Sequence, residues 1–228
     1  MAEIFYEGPS EIDGAPIRGY VSHNSSNRKT GDMLQTWIMR ADIKPTDACK
    51  TGADSSVCGN CPHRPSNLGT CYVLVHQAPL SISKSHPSSL SETAHHKALR
   101  LGAYGDPTAI PYGHWRTLMD TLDTTNHTGY THQWTSCDAR FQELCMASVD
   151  SEDEYRKAND AGWRTFRVMP RGARLMEGEI MCPSSKGVKC TDCRLCAGTS
   201  NTGKNIAIEV HGSQGKINMF EKNYADEN

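Results

Sequence analysis

The stretch "QTWIMRADI" at residues 35–43 has the apolar and β-branched residues of a buried β-strand, and a cysteine-rich loop follows it directly. Two helical patterns come later in the chain. "YGHWRTLMDTLDT" at 112–124 carries apolar residues at helical spacing, and "EDEYRKANDAG" at 152–162 follows a serine cap and ends in glycine. Strands that alternate with helices predict an α/β fold, with either an open sheet or an incomplete (β/α) barrel. A complete barrel typically needs about 250 residues, and this chain has 228.

The other strand-like stretches are apolar or β-branched runs between turn residues. They lie at 71–79, 99–101, 127–134, 143–151, 163–170 and 205–212. Two cysteine-rich loops, predicted to bind metal, interrupt this pattern. We therefore predict two domains. An α/β barrel-like domain over 1–181 contains a four-cysteine loop at 49–71, and a cluster-binding extension covers 182–228.

The composition is close to that of an ordinary globular protein, with 37% hydrophobic and 22% charged residues and a formal net charge of -2. This charge gives no general attraction to nucleic acid or to anionic membranes. No stretch approaches the roughly 20 apolar residues of a membrane span, and the start, "MAEIFYEGPSEIDG", lacks the order of a secretory signal. We expect a cytoplasmic protein that does not bind membranes. An arginine run at 164–174 fits either a solvated face or a local nucleic-acid contact.

Most of the ten cysteines fall into two groups, and in a reducing cytoplasm clustered thiols are more often metal ligands than disulfides. The C-terminal group has the spacing C-x7-C-x2-C-x2-C and consists of Cys182, Cys190, Cys193 and Cys196. A C-x2-C-x2-C run is typical of loops that hold three corners of a [4Fe–4S] cluster, and Cys182 would supply the remaining ligand. The spacing favours iron–sulfur, with zinc as the alternative.

The N-terminal group has the spacing C-x8-C-x2-C-x9-C and consists of Cys49, Cys58, Cys61 and Cys71. One tight pair between two looser neighbours predicts a metal site but does not separate zinc from a cluster. His63 is a possible substitute ligand. Two cysteines stay outside both groups: Cys145, in an apolar strand, is predicted to be a core residue, and Cys137 is assigned no function.

Two polar segments at predicted strand ends are candidate ligand sites. "GAYGDP" at 102–107 places Asp106 in either a ligand site or an ordinary Gly-Asp-Pro turn. "HTGYTHQW" at 127–134 contains His132, which fits either a proton carrier or an ordinary histidine. The chain lacks the G-x4-G-K-[ST], H-E-x-x-H, G-x-S-x-G and G-x-G-x-x-G motifs.

The order of several segments resembles the gene-product-eighty-eight family of phages and bacteria, a family without a demonstrated activity. The matching stretches are "EGPSEIDGAPI" (7–17), "SSNRKTGDM" (25–33), "CGNCPHR...CYV" (58–73), "RLGAYGDP" (100–107), "GYTHQW" (129–134), "MASVDS" (146–151) and "CTDCRLCAG" (190–198). The resemblance implies a phage-type protein, located in the cytoplasm of an infected host cell if a phage encodes it.

The same order is similar to a reduced radical-SAM enzyme. In that class a cluster loop follows the first barrel strand, and a strand end rich in glycine and acid meets S-adenosylmethionine (SAM). A C-terminal cysteine-rich extension often holds an auxiliary cluster. The resemblance implies that Gly102, Gly105 and Asp106 bind the cofactor. It also places His132 and Asp150 at later strand ends, and it makes Asp106, His132 and Asp150 the candidate catalytic residues.

The first loop departs from radical-SAM enzymes because the C-x3-C-x2-C signature is absent. Four cysteine ligands would leave no iron open to SAM. The first hypothesis is therefore an iron–sulfur protein with one or two [4Fe–4S] clusters, radical-SAM-like in layout but without the standard SAM-cleaving site. The second is an active radical-SAM-like enzyme that uses Cys58, Cys61 and Cys71, with Cys49 unligated. The third is a non-enzymatic, zinc-braced binding module. An electron donor or a host protein would be the partner.

Overall fold

The computed structural model describes residues 2–23, 27–86 and 94–224, so the outer ends of the two predicted domains, residue 1 and residues 225–228, lie outside it. The described chain contains the strands β1 (Ala2–Pro9), β2 (Pro16–Ser22), β3 (Leu34–Arg40), β4 (Leu99–Tyr104), β5 (His127–Thr128), β6 (Tyr130–Thr131), β7 (Met146–Val149), β8 (Thr165–Met169), β9 (Glu179–Met181) and β10 (Asn205–Glu209). Its α-helices are α1 (Pro45–Thr51), α2 (Ser55–Cys58), α3 (Ala78–Ser83), α4 (Tyr112–Thr121), α5 (Glu152–Asp160), α6 (Cys190–Cys193) and α7 (Gln214–Asn223). None of these helices combines the length and the hydrophobicity that crossing a bilayer requires.

The strands form two five-stranded sheets. The first has the order β1-β2-β3-β4-β5. Antiparallel pairing joins β1 to β2 and β2 to β3, whereas β3, β4 and β5 run parallel. The second sheet has the order β6-β7-β8-β10-β9 and is parallel throughout. The prediction of a mixed α/β fold is confirmed, and the described strands do not close into a barrel.

Gly129 lies between β5 of the first sheet and β6 of the second. Its amide donates a hydrogen bond to the Cys196 carbonyl, and its carbonyl accepts one from the Met146 amide. A Cβ at this position would lie 2.6 Å from the Leu144 carbonyl oxygen, so a larger residue does not fit. The single strand predicted at 127–134 is therefore two short strands that pair in different sheets.

The two faces of β4 have different surroundings because successive side chains of a strand point to opposite faces. Leu99, Leu101 and Ala103 are buried in the main hydrophobic core, which also contains Trp115 and Leu118 of α4. The helix predicted at 112–124 is therefore present as α4, and its apolar stripe is buried. The other face of β4, with Arg100, Gly102 and Tyr104, borders a cavity.

The strand predicted at 71–79 is wrong. Residues 71–75 form no strand, and Pro79 lies in the first turn of α3. Val73 and Val75 nevertheless pack against the main core. The apolar pattern at this position therefore reflects burial of a loop, and it has the same sequence signature as a buried strand.

The predicted boundary at residue 182 falls within the second sheet. β10 belongs to the predicted C-terminal extension, yet it pairs with β8 on one side and with β9 on the other. Strand pairing therefore crosses the boundary between 1–181 and 182–228, and the division into two domains stays a prediction.

Ser151 caps α5, as its sequence context predicts, and holds the backbone beside Asp150. Its hydroxyl accepts a hydrogen bond from the Glu154 amide at 3.2 Å, and the Glu154 carboxylate accepts one from the Asp150 amide at 2.7 Å. We expect Ser151→Ala to lower the free energy of unfolding by about 1 kcal/mol, because the capped amide loses its acceptor. Urea unfolding followed by circular dichroism measures this. Ser151→Asp keeps an acceptor and should recover most of the loss, whereas an alanine variant as stable as the wild type would contradict the capping role.

Candidate metal and ligand site

A cavity of about 260 Å³ lies against one face of the parallel strands. The strand residues that line it include Arg100, Gly102, Tyr104, Tyr130, Phe166 and Ile208. Cysteines of both predicted groups line the same cavity, namely Cys58, Cys61, Cys71, Cys182 and Cys190. The fold thus brings together two thiol groups that are far apart in the sequence.

The N-terminal thiols lie at the carboxyl ends of the strands. Tyr104 ends β4, and its hydroxyl pKa is raised by burial and by the nearby thiols of Cys58 and Cys49. His132 directly follows β6 and hydrogen-bonds the thiol of Cys61. Ligands of open α/β sheets bind at this end of the strands, so the N-terminal group stands where chemistry is expected in such a fold.

The C-terminal thiols lie near the starts of the same strands. Tyr130 begins β6 and hydrogen-bonds the buried thiol of Cys196. Arg100, near the start of β4, is close enough to Cys190 to lower the pKa of that thiol, although burial raises it overall. The cavity therefore extends along the strands from one thiol group to the other.

A tight turn joins Cys58 to Cys61. Cys58 ends α2, and the Cys61 amide donates a hydrogen bond to its carbonyl at 3.2 Å. Gly59 follows with a φ of 56° and a ψ of -134°, a positive-φ conformation that glycine adopts without strain. A Cβ there would lie 2.3 Å from the side chain of Gln133, which packs across the turn. The sequence C-G-N-C thus provides the turn that directs both thiols toward the cavity.

Arg64 ties this turn to the preceding loop. Its guanidinium donates to both carboxylate oxygens of Asp54, at 3.1 and 2.8 Å, and to the carbonyls of Gly59 and Gly52, at 3.1 and 2.7 Å. The Arg64 and Asp54 side chains are 10% and 1% exposed. Arg64 is thus a nearly buried ionic brace under the N-terminal thiols.

Cys49 stands apart from its three predicted partners. It is buried in α1, and its thiol lies 3.5 Å from the Tyr104 hydroxyl. It does not belong to the described residues that line the cavity. Its influence still reaches Cys71, because it contributes to the raised pKa of that thiol.

Burial raises the pKa of three thiols of the two groups, those of Cys58, Cys71 and Cys196. Burial brings the pKa of Cys71 to about 11, even though the Val73 amide hydrogen-bonds the sulfur. Burial and the neighbouring thiols raise the pKa of Cys58, and burial raises that of Cys196 to about 12. Near neutral pH these thiols stay protonated without a metal, so metal binding would release protons.

Main-chain contacts hold the C-terminal thiols. The Cys182 amide donates to the Ala207 carbonyl of β10 at 2.7 Å, and the Cys190 amide donates to the Lys29 carbonyl at 2.9 Å. All four members of this group interact electrostatically, since Cys182, Cys190 and Cys193 each contribute to the raised pKa of Cys196. The group predicted from the C-x2-C-x2-C run is therefore also a group in space.

His63, His132 and Asp150 form a second cluster in the cavity wall. His63 Nε2 lies 2.9 Å from one Asp150 oxygen, and His132 Nε2 lies 3.3 Å from the other. Burial alone would raise the pKa of Asp150, but the hydrogen bonds from both imidazoles lower it well below its usual range. Burial opposes the charged form of His132, but the Cys61 thiol and Asp150 raise its pKa well above the ordinary value. Asp150 is thus ionised and holds both rings.

Asp106 lines the cavity, but hydrogen bonds within the fold occupy its carboxylate. One oxygen accepts from the Thr108 amide and hydroxyl, at 3.1 and 2.8 Å, and the other accepts from the His132 amide at 2.9 Å. Gly102 and Gly105 line the cavity beside it with φ values of 65° and 83°. The three residues predicted to bind the cofactor therefore line the cavity. They also have a structural role, because Asp106 is hydrogen-bonded within the fold and both glycines have a positive φ.

Some cavity residues carry weak sequence signals. Arg100 lines the cavity and donates a hydrogen bond to the Tyr72 hydroxyl at 2.5 Å. Its sequence signal is the alternation along β4, which places Arg100 on the same face of the strand as Gly102. Two arginines of the run at 164–174 are bound within the fold. Arg164 binds main-chain carbonyls, and Arg167 pairs with the buried Glu179 at 2.6 Å. Cys145 is fully buried, which confirms it as a core residue.

No protein-family model matches this chain, and neither a curated protein nor a solved structure does. The resemblance to gene-product-eighty-eight proteins and to radical-SAM enzymes therefore stays a prediction from the sequence.

Proposed function

We propose that this chain is an iron–sulfur protein with a radical-SAM-like layout, in which the two thiol groups hold clusters at opposite ends of one cavity. Cys58, Cys61 and Cys71 would hold the first cluster. The second would be held by Cys182, Cys190, Cys193 and Cys196. The observation that carries the proposal is the arrangement of the N-terminal group: three of its thiols line the cavity, while the fourth, Cys49, contacts Tyr104.

The sulfur atoms are spaced more widely than in a formed tetrahedral zinc site. Tetrahedral zinc with Zn–S bonds of about 2.3 Å brings its sulfur ligands to roughly 3.8 Å from one another. Among the described residues, which include all ten cysteines, no three cysteine sulfurs lie within 4.8 Å of one another. In a [4Fe–4S] cluster each thiolate binds a different iron, so the sulfur atoms stay further apart.

Hydrogen bonds to the sulfur atoms also fit cluster ligands. The Val73 amide donates to Cys71, His132 hydrogen-bonds Cys61, and Tyr130 hydrogen-bonds Cys196. Hydrogen bonds to thiolate ligands are a main determinant of the reduction potential of protein clusters. These contacts would stabilise the thiolate form that a cluster requires.

The order of the parallel strands supports an incomplete-barrel interpretation. The parallel segments β3, β4, β5, β6, β7 and β8 follow one another across the two sheets in chain order, and Gly129 joins β5 to β6. Parallel strands that alternate with helices are the arrangement of (β/α) barrels, and α-helices lie between β3 and β4, between β4 and β5, and between β7 and β8. The N-terminal thiols and the adjoining part of the cavity lie at the end of these strands where barrel enzymes bind their ligands.

Three cysteine ligands would leave one iron of the first cluster without a protein ligand, beside the cavity. In radical-SAM enzymes such an iron binds SAM, and the bound cluster supplies one-electron reduction of the sulfonium. In this chain, Gly102 and Gly105 line the cavity at the end of β4, and a Cβ at these positions would lie 2.4 Å from the Gly105 carbonyl oxygen and 2.7 Å from the Ile38 side chain, respectively. Asp106 holds the His132 main chain, and Asp150 holds the His132 ring, so the polar wall of the cavity is fixed in position.

The second candidate function is an iron–sulfur protein whose first cluster is closed by four thiolates and serves electron transfer. It is favoured by the proximity of Cys49 to Cys71: burial is the main cause of the raised pKa of the Cys71 thiol, and Cys49 contributes to it. In this case SAM would have no iron to bind.

Anaerobic purification, followed by measurement of iron, acid-labile sulfide and zinc per chain, tests the proposal. We expect about eight irons and matching sulfide. Cys49→Ala should keep all of this iron and should still bind SAM, because its thiol is not a ligand. Cys61→Ala should lose about half of the iron, and Cys137→Ala, outside both groups, serves as the neutral control.

Each alternative gives a different result. Loss of about half of the iron in Cys49→Ala would establish the closed, electron-transfer site. About two zinc ions and no visible colour would exclude the iron–sulfur proposal and leave the zinc-braced module.

A further inference from the structure

We propose that His63, His132 and Asp150 form a binding site for one first-row divalent cation, of the Mn²⁺ or Fe²⁺ type, in the wall of the cavity. This site goes beyond the proposed clusters and uses none of their ligands. Among the described residues, these three are the one set of histidine, cysteine and acidic side chains whose potential ligand atoms all lie within 4.8 Å of one another.

The distances match the edges of a coordination polyhedron. Metal–ligand bonds of about 2.1 Å from imidazole nitrogen and carboxylate oxygen place neighbouring ligand atoms about 3.0 Å apart in an octahedron and about 3.4 Å apart in a tetrahedron. His63 Nε2 lies 2.9 Å from Asp150 Oδ1, and His132 Nε2 lies 3.3 Å from Asp150 Oδ2, so each ring nitrogen is at about this spacing from a different carboxylate oxygen. A cation could therefore be bound with small side-chain movements.

The orientation of His63 is that of a metal ligand. Its Nδ1 lies 2.7 Å from the Thr70 hydroxyl, which leaves Nε2 for the cation. Metal-binding histidines almost always engage their other ring nitrogen in this way. The Phe220 ring stacks on the imidazole at 5.8 Å between centroids, and α7 therefore restricts the ring.

The donor set selects the class of cation. Two imidazoles and one carboxylate suit Mn²⁺, Fe²⁺ and Zn²⁺, whereas the softer thiolates of the cysteine groups select iron–sulfur clusters or zinc. Two histidines and one carboxylate occupy three positions and leave others for water or a ligand. All three side chains line the cavity, so these positions would be open to whatever the cavity binds.

Manganese titration separates this site from the thiols, because Mn²⁺ binds thiolates poorly. Mn²⁺ is added to the oxidised, anaerobically purified protein at about pH 8, above the ordinary pKa of imidazole, because protons compete with the cation for histidine ligands. The loss of the free-ion signal in electron paramagnetic resonance counts bound ions. We expect one bound Mn²⁺ per chain. Asp150→Asn and His63→Gln should each weaken binding by about 100-fold or more, and Thr70→Val should weaken it by about 10-fold or more.

The matched control is the exposed pair His96 and Asp123, whose Nδ1 and Oδ2 atoms lie 3.1 Å apart. Asp123→Asn should leave Mn²⁺ binding unchanged. Circular dichroism verifies that each variant is folded. Asp150→Asn and His63→Gln must both weaken Mn²⁺ binding. No bound Mn²⁺, or equal binding by the wild type and both ligand variants, would overturn the proposal and leave Asp150 as a hydrogen-bonded brace for the two rings. A colourless, iron-free preparation would refute the cluster proposal but not the cation site, because the Mn²⁺ titration of that preparation still tests the cation site.

Discussion

Arg64→Ala should lower the free energy of unfolding by about 3–5 kcal/mol, the usual cost of removing one partner from a buried ion pair. The carboxylate of Asp54 is 1% exposed and would be left without its cation. The carbonyls of Gly52 and Gly59 would lose a donor as well. Urea unfolding of the anaerobically purified protein measures the effect. The same variant should lose iron from the N-terminal site first, because Arg64 holds the loop that carries its thiols.

The control for this prediction is Arg18→Ala. Arg18 pairs with Glu7 at 2.8 Å, but the two side chains are 36% and 55% exposed. Water already solvates such a pair, so we expect a change of about 0–1 kcal/mol. If both variants lost equally little stability, the burial of the Arg64 pair would have no energetic consequence and the brace would be refuted.

Gly102→Ala should destabilise the fold by about 3 kcal/mol, through two effects that act together. The φ of 65° places alanine in the left-handed region, which costs a non-glycine residue about 1–3 kcal/mol. The added Cβ would also lie 2.4 Å from the Gly105 carbonyl oxygen, so the strand end must move. Thermal unfolding measures the loss, and SAM binding measures the displacement of the cavity wall.

Gly113→Ala is the matched control. Gly113 lies in α4, and a Cβ there would meet no atom within 4 Å. We expect this variant to be as stable as the wild type or more stable by up to about 1 kcal/mol, because alanine favours the helix. Equal effects at both positions would show that the backbone of the Gly-rich segment is not constrained.

The predictable part of the fold is the part that follows hydrophobic periodicity. β3, α4, α5 and β8 lie where the sequence places them, because each buries a regular stripe or run. No strand is predicted in residues 2–22, yet β1 and β2 form there. β1 is a half-buried strand that carries Glu3 and Glu7 among its apolar residues, so its alternation is weak. Pairing with β2 stabilises it, and pairing partners are a property of the whole fold.

The candidate site was predictable in its thiols and less so in its polar wall. Short spacings such as C-x2-C confine two sulfur atoms to one turn, whereas the spacer of eight residues before Cys58 permits Cys49 either to join the group or to turn away. His132 and Asp150 directly follow β6 and β7, which are neighbouring parallel strands, so sheet order brings them together. His63 is 87 residues from Asp150 and reaches it from the cysteine loop. Only the packing of that loop on the sheet decides this contact.

The insertion of β10 between β8 and β9 sets an order for biosynthesis. β9 leaves the ribosome before β10, but its place in the sheet exists only after β10 has paired with β8. Until residues 205–209 emerge, β8 is paired only with β7 and its other edge is exposed. Exposed strand edges can pair with other chains. A nascent or truncated chain that ends before residue 205 should therefore aggregate. The C-terminal thiols lie in the segment between β9 and β10, so their site is completed last, when the sheet itself is closed at this edge.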